Sequence, residues 1–172
     1  MTFGGFGVEY KQLVGKSVTK CQKVVKSMLM GEYNHTLDAK GRLTVPARFR
    51  EELGDLFVVT RGFEGCLTAY PMERWEKIRK NLMALSLTNP GGRKLSRLFL
   101  GNAIECEVDK MGRILLPQPL RNTAGITKDV VFTGLGDRAE IWDQEAWNRV
   151  NGADAFNELT EDDLMSIEGL EI

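Results

Sequence analysis

One short pattern occurs twice in this chain, and the duplication constrains the fold more than any other feature. The pattern Asp-x-x-Gly-Arg occupies residues 38–42 and again residues 109–113, 71 positions later. Each copy lies between two runs of alternating apolar residues, and each is followed four residues later by a proline, Pro46 or Pro117. The sequence therefore predicts two related units in tandem.

The pattern is typical of a tight turn between two strands. An aspartate can accept hydrogen bonds from its own backbone two residues on, and glycine adopts a positive φ without a Cβ clash. We therefore predict that Asp38, Gly41, Asp109 and Gly112 structure the tips of two β-hairpins. Because such turns are ordinary hairpin chemistry, one copy alone would not indicate a function.

The cations in the two copies go beyond what a turn requires. Arg42 and Arg113 each follow the turn glycine at the start of the return strand. A two-stranded ribbon can enter the major groove of DNA, where an arginine can donate two hydrogen bonds to guanine. We predict that Arg42 and Arg113 read bases and that Lys40 and Lys110 contact phosphates.

Three further arginines follow the two turns. Arg48 is a weaker candidate for DNA binding, since Pro119 stands at the matching place in the second copy. Arg50 and Arg121 do match each other. For this pair, a structural ion pair with a nearby carboxylate is the alternative to a DNA contact.

The repeat extends beyond the turns and divides the chain into five segments. The first repeat covers residues 32–75 and the second covers 103–147, separated by a basic helical connector at 76–102. An acidic tail follows at 148–172. Residues 1–27 match neither repeat, and we read them as a flexible extension or as a mis-assigned start, with a phosphate-gripping basic arm as the alternative. Units of about 40 residues bury too little apolar surface to fold alone, so we expect the two repeats to pack together.

Several local elements can be predicted. Pro46 suits the start of a short helix at 47–53 that ends at Gly54, and a buried strand follows at 56–60. Asn-Pro-Gly-Gly at 89–92 predicts a turn before a helix at 93–100. In the second repeat, we expect a strand at 129–133 and a glycine-rich turn at 134–136.

Charge is distributed unevenly. The net charge is −1, but residues 151–172 contain seven acids and no lysine or arginine, so the remaining 23 bases and 17 acids give residues 1–150 a charge of +6. Seven bases and one acid lie between Arg74 and Arg97. That stretch is either a solvated helix face or a surface that contacts phosphates or another subunit.

Composition argues against other classes of protein. With one histidine and three widely spaced cysteines, a zinc site or a Ser-His-Asp triad is not expected, and we predict no metal and no cofactor. Asp38 and Asp109 could be imagined as paired catalytic carboxylates, but their turns already explain them, so we do not expect an enzyme. No apolar run approaches the ~18 residues that a membrane span needs, and reduced cysteines fit a cytoplasmic protein.

Residues 31–50 closely resemble the start of the bacterial MraZ family. Residues 97–103, the second Asp-x-x-Gly-Arg and residues 140–142 resemble that family's second half, so the resemblance runs in order from Met28 to about Val150. It implies an α+β, mainly β fold of two pseudo-symmetric AbrB-like swapped-hairpin repeats with short helices, assembled into a ring-shaped homo-oligomer.

The resemblance also implies a function. MraZ proteins are nucleoid-associated transcriptional regulators that bind direct repeats in double-stranded DNA upstream of a division and cell-wall gene cluster. The family's DNA-contacting motif maps onto residues 38–42 and 109–113 of this chain. An interaction scaffold or antitoxin-like partner protein, whose acidic tail binds a basic protein, is the alternative from a different class.

Overall fold

The computed structural model describes residues 28–86 and 88–152, together with positions 155, 160, 163, 166 and 167. The predicted extension at 1–27 and most of the acidic tail lie outside the described residues. The elements follow one another as β1 (Leu29–Thr36), β2 (Arg42–Thr44), α1 (Ala47–Leu53), β3 (Leu56–Arg61), β4 (Leu67–Pro71), α2 (Met72–Met83), α3 (Pro90–Leu100), β5 (Ile104–Glu107), β6 (Arg113–Leu115), α4 (Gln118–Thr123), β7 (Asp129–Gly136), β8 (Ala139–Asp143) and α5 (Gln144–Asn151).

Helix α1 confirms its prediction from start to end. Pro46 occupies the position before the first helical residue with φ −51°. This φ is compatible with a helix start, and the missing N–H of proline costs no helical hydrogen bond at that position. Gly54 closes the helix at φ +81°, and its N–H donates to the Arg50 carbonyl oxygen at 3.0 Å. Between these caps the helix buries Phe49 and Leu53.

The predicted turn at 89–92 is wrong. These residues form the first turn of α3, which begins at Pro90 rather than at residue 93. The Asn89 side chain accepts a hydrogen bond from the Gly92 N–H at 3.1 Å and so acts as the N-cap. An asparagine N-cap followed by proline is a strong helix start, and it outweighs the turn tendency of the two glycines.

The predicted glycine-rich turn at 134–136 is also wrong, because β7 continues through it. Leu29 and Gly31 of β1 lie opposite Gly136 and Gly134. A Cβ on Gly134 would stand 2.4 Å from the carbonyl carbon of Leu29. The glycine therefore permits a close approach of two strands rather than a reversal of the chain.

The two repeats build one six-stranded sheet between them. Its order is β1-β7-β8-β4-β3-β5, and every neighbouring pair is antiparallel. The first strand of each repeat pairs with the third strand of the other, since β1 pairs with β7 and β5 pairs with β3. Each half therefore supplies a strand that the other half needs.

The predicted hairpins are wrong in one respect. Strands β1 and β2 meet at a single bridge, between Leu37 and Leu43. Beyond this bridge the return strand, β2, separates from β1. Strand β2 pairs with β6, the return strand of the second repeat, and the two form a separate antiparallel ribbon. We call this pair of strands the crossed ribbon. Its central pair, Leu43 and Ile114, is 0% and 1% exposed, and burial of these side chains explains why the return strands turn inward.

The sheet separates two apolar layers. Phe57 and Val59 face the main core, which also holds the inner side of the crossed ribbon and residues of α1 and α4. Val58 faces the opposite layer, where it packs with Tyr70 and with residues of α2 and α3, among them Trp75 of α2. This alternation along one strand confirms that β3 is buried on both faces.

Nowhere in the described ranges does a helix reach the length and apolar character needed to cross a membrane.

Candidate nucleic-acid interface

The first turn has the geometry that its sequence predicts. The Asp38 Oδ1 atom accepts hydrogen bonds from the backbone N–H groups of Lys40 and Arg42, both at 2.9 Å. Gly41 has φ +80° and donates its N–H to the Asp38 carbonyl oxygen at 2.9 Å. The turn-structuring roles of Asp38 and Gly41 are therefore explained by direct contacts.

The second turn repeats these contacts. The Asp109 Oδ1 atom accepts from the N–H groups of Met111 and Arg113, at 2.8 and 3.0 Å. Gly112 has φ +77° and bonds back to the Asp109 carbonyl oxygen at 2.8 Å. Two sequences that differ at both intervening positions thus adopt the same turn, so the residues that they share, the aspartate, the glycine and the arginine, are sufficient for it.

Each motif arginine is held by the aspartate of its own turn. The Arg42 Nε donates to Asp38 Oδ2 at 2.6 Å, and Nε and Nη2 of Arg113 donate to Asp109 Oδ2 at 2.9 and 2.8 Å. Sequence reasoning missed this pairing, although an aspartate four residues before an arginine in both copies was a signal for it. The contact orients the guanidinium groups without burying them, because the side chains of Arg42 and Arg113 keep 34% and 26% of their exposure.

The same contacts lower the pKa of both carboxyl groups. At Asp109 the Arg113 side chain has the largest effect, and the pKa falls from 3.8 to about 2. At Asp38 the backbone N–H of Arg42 has the largest effect, and its pKa is also lowered. Both aspartates are therefore ionised at neutral pH and hold a positive partner in a fixed direction.

The crossed ribbon brings the two motif arginines to one surface. Arg42 lies opposite Leu115, and Thr44 lies opposite Arg113. Residues opposite each other and residues two apart share a face, so all four project from the side away from buried Leu43. Arg42 and Arg113 are diagonal neighbours on that face, and such positions are roughly 7–8 Å apart. We call this exposed side the ribbon face.

The other predicted contact residues surround the ribbon face. Lys40 and Lys110 are exposed at the tips of the two turns, and Arg48 is exposed on α1. Within the described part of the chain, none of these three has a carboxylate partner. Their charges are available to a ligand, whereas those of Arg42 and Arg113 are already directed by an aspartate.

Arg50 and Arg121 do not form the ion pairs that sequence reasoning offered for them. The Arg121 Nε donates to the Leu116 carbonyl oxygen at 2.9 Å, and its guanidinium lies against Gly41. The Arg50 guanidinium lies against Gly112 in the same way. Among the described residues, neither arginine contacts a carboxylate.

The ribbon face and its surroundings carry a net positive charge. The two turns and the two following helices supply seven positive charges and four negative ones: Lys40, Arg42, Arg48, Arg50, Lys110, Arg113 and Arg121, against Asp38, Glu51, Glu52 and Asp109. In contrast, several bases of the stretch between Arg74 and Arg97 already have acidic partners. Arg74 pairs with Asp137, Lys77 with Glu73 and Arg79 with Glu76. This favours the interpretation of α2 as a solvated helix face.

The family model described as "MraZ protein, putative antitoxin-like" matches residues 28–98 and again residues 99–165. The chain belongs to the MraZ family. The two successive matches agree with the internal duplication, because the model recognises each half separately.

Individual relatives support the same assignment. A protein of Carboxydothermus hydrogenoformans named "Transcriptional regulator MraZ" is 52% identical over 136 residues, which cover 78% of this chain and 95% of the relative. A Thermoanaerobacter protein of the same name is 51% identical over 141 residues, covering 80% and 99%. One from Limosilactobacillus reuteri is 47% identical over 137 residues, covering 78% and 96%. The resemblance inferred from the sequence motifs is thus confirmed.

Proposed function

We propose that this protein is a sequence-specific DNA-binding transcriptional regulator and that its ribbon face reads DNA. The observation that carries the proposal is the position of Arg42 and Arg113. These two arginines come from different repeats, yet they project from one face of the crossed ribbon, each oriented by an aspartate. The name "Transcriptional regulator", which the relatives carry, supports the same function.

The chemistry of each arginine fits base recognition. In Arg42 the carboxylate takes Nε, so both Nη groups are available to donate to O6 and N7 of one guanine. In Arg113 the carboxylate takes Nε and one N–H of Nη2, which leaves the second N–H of Nη2 and both N–H groups of Nη1. Each base-reading arginine supplies about 1–3 kcal/mol of discrimination against the wrong base. The exposed charges of Lys40, Lys110 and Arg48 suit the phosphates on either side.

A single chain offers only two such tips, which is little for useful affinity. We propose that copies of the chain assemble into a ring and present several ribbon faces to direct repeats in the DNA, because linked sites raise affinity without new contacts. The target we propose is the DNA upstream of the division and cell-wall gene cluster, and the location is the nucleoid of the cytoplasm. The exchange of strands between the repeats supports an AbrB-like swapped-hairpin architecture for each unit.

The experiment is a binding titration with that upstream DNA. Arg42→Ala combined with Arg113→Ala should abolish specific binding while light scattering shows the same oligomer as the wild type. The matched control is Lys80→Ala with Lys94→Ala, which removes two exposed charges from α2 and α3 on the other side of the sheet. Specific binding should survive in the control. Equal binding by the wild type and the arginine double variant would refute the proposal.

Salt dependence provides a second readout. The wild-type affinity should fall steeply and linearly on a logarithmic scale as salt rises, because phosphate contacts release counterions. A flat response would exclude phosphate contacts by the basic surroundings of the ribbon face.

A further inference from the structure

The glycine of each turn lies against an arginine of the opposite repeat. A Cβ on Gly41 would stand 3.0 Å from Nη2 and 3.2 Å from Cζ of Arg121, which belongs to the second repeat. A Cβ on Gly112 would stand 2.7 Å from Nη1 and 2.9 Å from Cζ of Arg50, which belongs to the first. Each guanidinium therefore covers the turn of the other half of the chain.

Backbone hydrogen bonds connect the same groups. The Leu116 N–H donates to the Gly41 carbonyl oxygen at 2.9 Å, and the Leu116 carbonyl oxygen accepts from Arg121 Nε at 2.9 Å. On the other side, the Val45 N–H donates to the Gly112 carbonyl oxygen at 2.9 Å. Each turn is thus fixed to the end of the opposite return strand, and on one side an arginine holds that strand end as well.

The position of these arginines explains their spacing in the sequence. Arg50 follows Arg42 by eight residues, and Arg121 follows Arg113 by eight. That spacing carries the chain along the return strand, past the proline and into α1 or α4, where the side chain reaches back to the other turn. Gly41 immediately precedes Arg42, and Gly112 immediately precedes Arg113. The contact is therefore one residue from each motif arginine.

We propose that Arg50 and Arg121 are positioning residues for DNA recognition: Arg121 fixes the turn that presents Arg42, and Arg50 fixes the turn that presents Arg113. This inference rests on the proposed function of the ribbon face. It couples the two tips, because each repeat orients the recognition arginine of the other. A planar guanidinium is needed for this role, since it lies against the turn glycine, and at Arg121 Nε also reaches a carbonyl oxygen. A lysine ammonium has no planar face with which to cover the turn.

A positioning role and a phosphate contact predict different results. If Arg121 contacted a phosphate, lysine would restore much of the affinity, and methionine would reduce the salt slope by about one. If Arg121 positions Arg42, lysine and methionine should be similarly damaging, and the salt slope should stay unchanged. The expected loss for the specific DNA is roughly tenfold, comparable to a weakened base contact. Affinity for unrelated DNA should change little.

The test uses the full chain with Arg121→Lys, Arg121→Met, Arg50→Lys and Arg50→Met. Equilibrium binding to the upstream DNA at several salt concentrations is combined with methylation protection of guanine N7. Each Arg121 variant should lose protection at the same guanines as Arg42→Ala, and each Arg50 variant at the same guanines as Arg113→Ala. Recovery of binding by lysine together with a reduced slope in methionine would overturn the inference.

Folding is checked separately by amide hydrogen exchange. The Gly41 and Leu116 amides should exchange faster in Arg121→Met, while amides in the central strands β4 and β8 keep their protection. Should Arg121→Met fail to fold, the Arg50 variants carry the test. The Arg50 guanidinium donates no hydrogen bond within the described part of the chain, so its removal endangers the fold less.

Failure of the inference can be distinguished from failure of the proposed function. If Arg42→Ala with Arg113→Ala binds DNA as the wild type does, the proposed function fails, and the positioning role fails with it. If that double variant loses binding while the Arg50 and Arg121 variants keep full affinity and protection, only the positioning role is overturned.

Discussion

Replacing Gly41 with alanine tests the packing of the first turn quantitatively. At φ +80° an L-residue costs about 1–2 kcal/mol relative to glycine. The new Cβ would also stand 3.0 Å from Nη2 of Arg121 and 3.2 Å from the Leu116 carbonyl oxygen, so these neighbours must shift. Forcing an extra methyl group into a packed site costs about 1–3 kcal/mol. Together these effects should lower the free energy of unfolding by about 2–5 kcal/mol.

Gly125 provides the matched control. It also has a positive φ, +64°, but a Cβ there would meet no atom within 4 Å. Gly125→Ala should therefore cost only the backbone strain, about 1–2 kcal/mol. The two variants are compared by denaturant unfolding at one protein concentration, with unchanged m-values required. Equal costs for Gly41→Ala and Gly125→Ala would refute the claim that a guanidinium and a carbonyl group crowd the first turn.

The remaining predictions concern the ribbon, the turn carboxylates and the exchange of strands. Leu43→Ala on the buried side of the ribbon should cost about 2–5 kcal/mol, whereas Leu115→Ala on the ribbon face should stay within about 0.5 kcal/mol in the same unfolding assay; similar costs would contradict the assigned faces. The folded pKa of Asp109 is depressed from 3.8 to about 2, so its stabilising contribution is complete above the higher value and disappears as pH falls through the lower one. A carbon-13 NMR titration of the carboxyl group should give a midpoint at the lower value, and a midpoint at 3.8 would contradict the contact with Arg113. Chain halves separated between Thr88 and Asn89 should not unfold cooperatively alone but should do so when mixed, since β1 and β5 each need a partner from the other half; cooperative unfolding of either half in circular dichroism would contradict the strand exchange.

Local elements with strong end signals could be predicted from the sequence. The helix at 47–53 and the buried strand that follows it have a proline before the helix, a glycine after it and an uninterrupted apolar run. At Asn89 and Gly134 the residue type is compatible with two different local structures. An asparagine before a proline can open a turn or cap a helix, and a glycine can end a strand or let another strand come close. Only the packing partner decides between them.

The partners of the strands were not predictable from local periodicity. Alternation shows which residues face the core, but it does not show which strand lies alongside. Strand β2 has the same apolar alternation whether it pairs with β1 or with β6, so the crossed ribbon could not be foreseen. A duplicated motif implies two similar units, yet it does not reveal that those units exchange strands.

The sequence indicated which residues belong to the candidate site, but it did not indicate how they contact one another. The repeated cations indicated Arg42 and Arg113, and the structure places both on the ribbon face. Their aspartate partners were assigned to the turns alone, because the turn already accounted for those residues. The contacts of Arg50 and Arg121 could not be inferred, since they depend on the return strands crossing between the repeats.

Methylation protection of guanine N7 in the upstream DNA tests the central claim most directly. In the wild-type complex, protected guanines should occur in a repeated pattern, with one subset lost in Arg42→Ala and a different subset lost in Arg113→Ala. If both variants protect the same guanines as the wild type, the ribbon face does not read bases in the way proposed here.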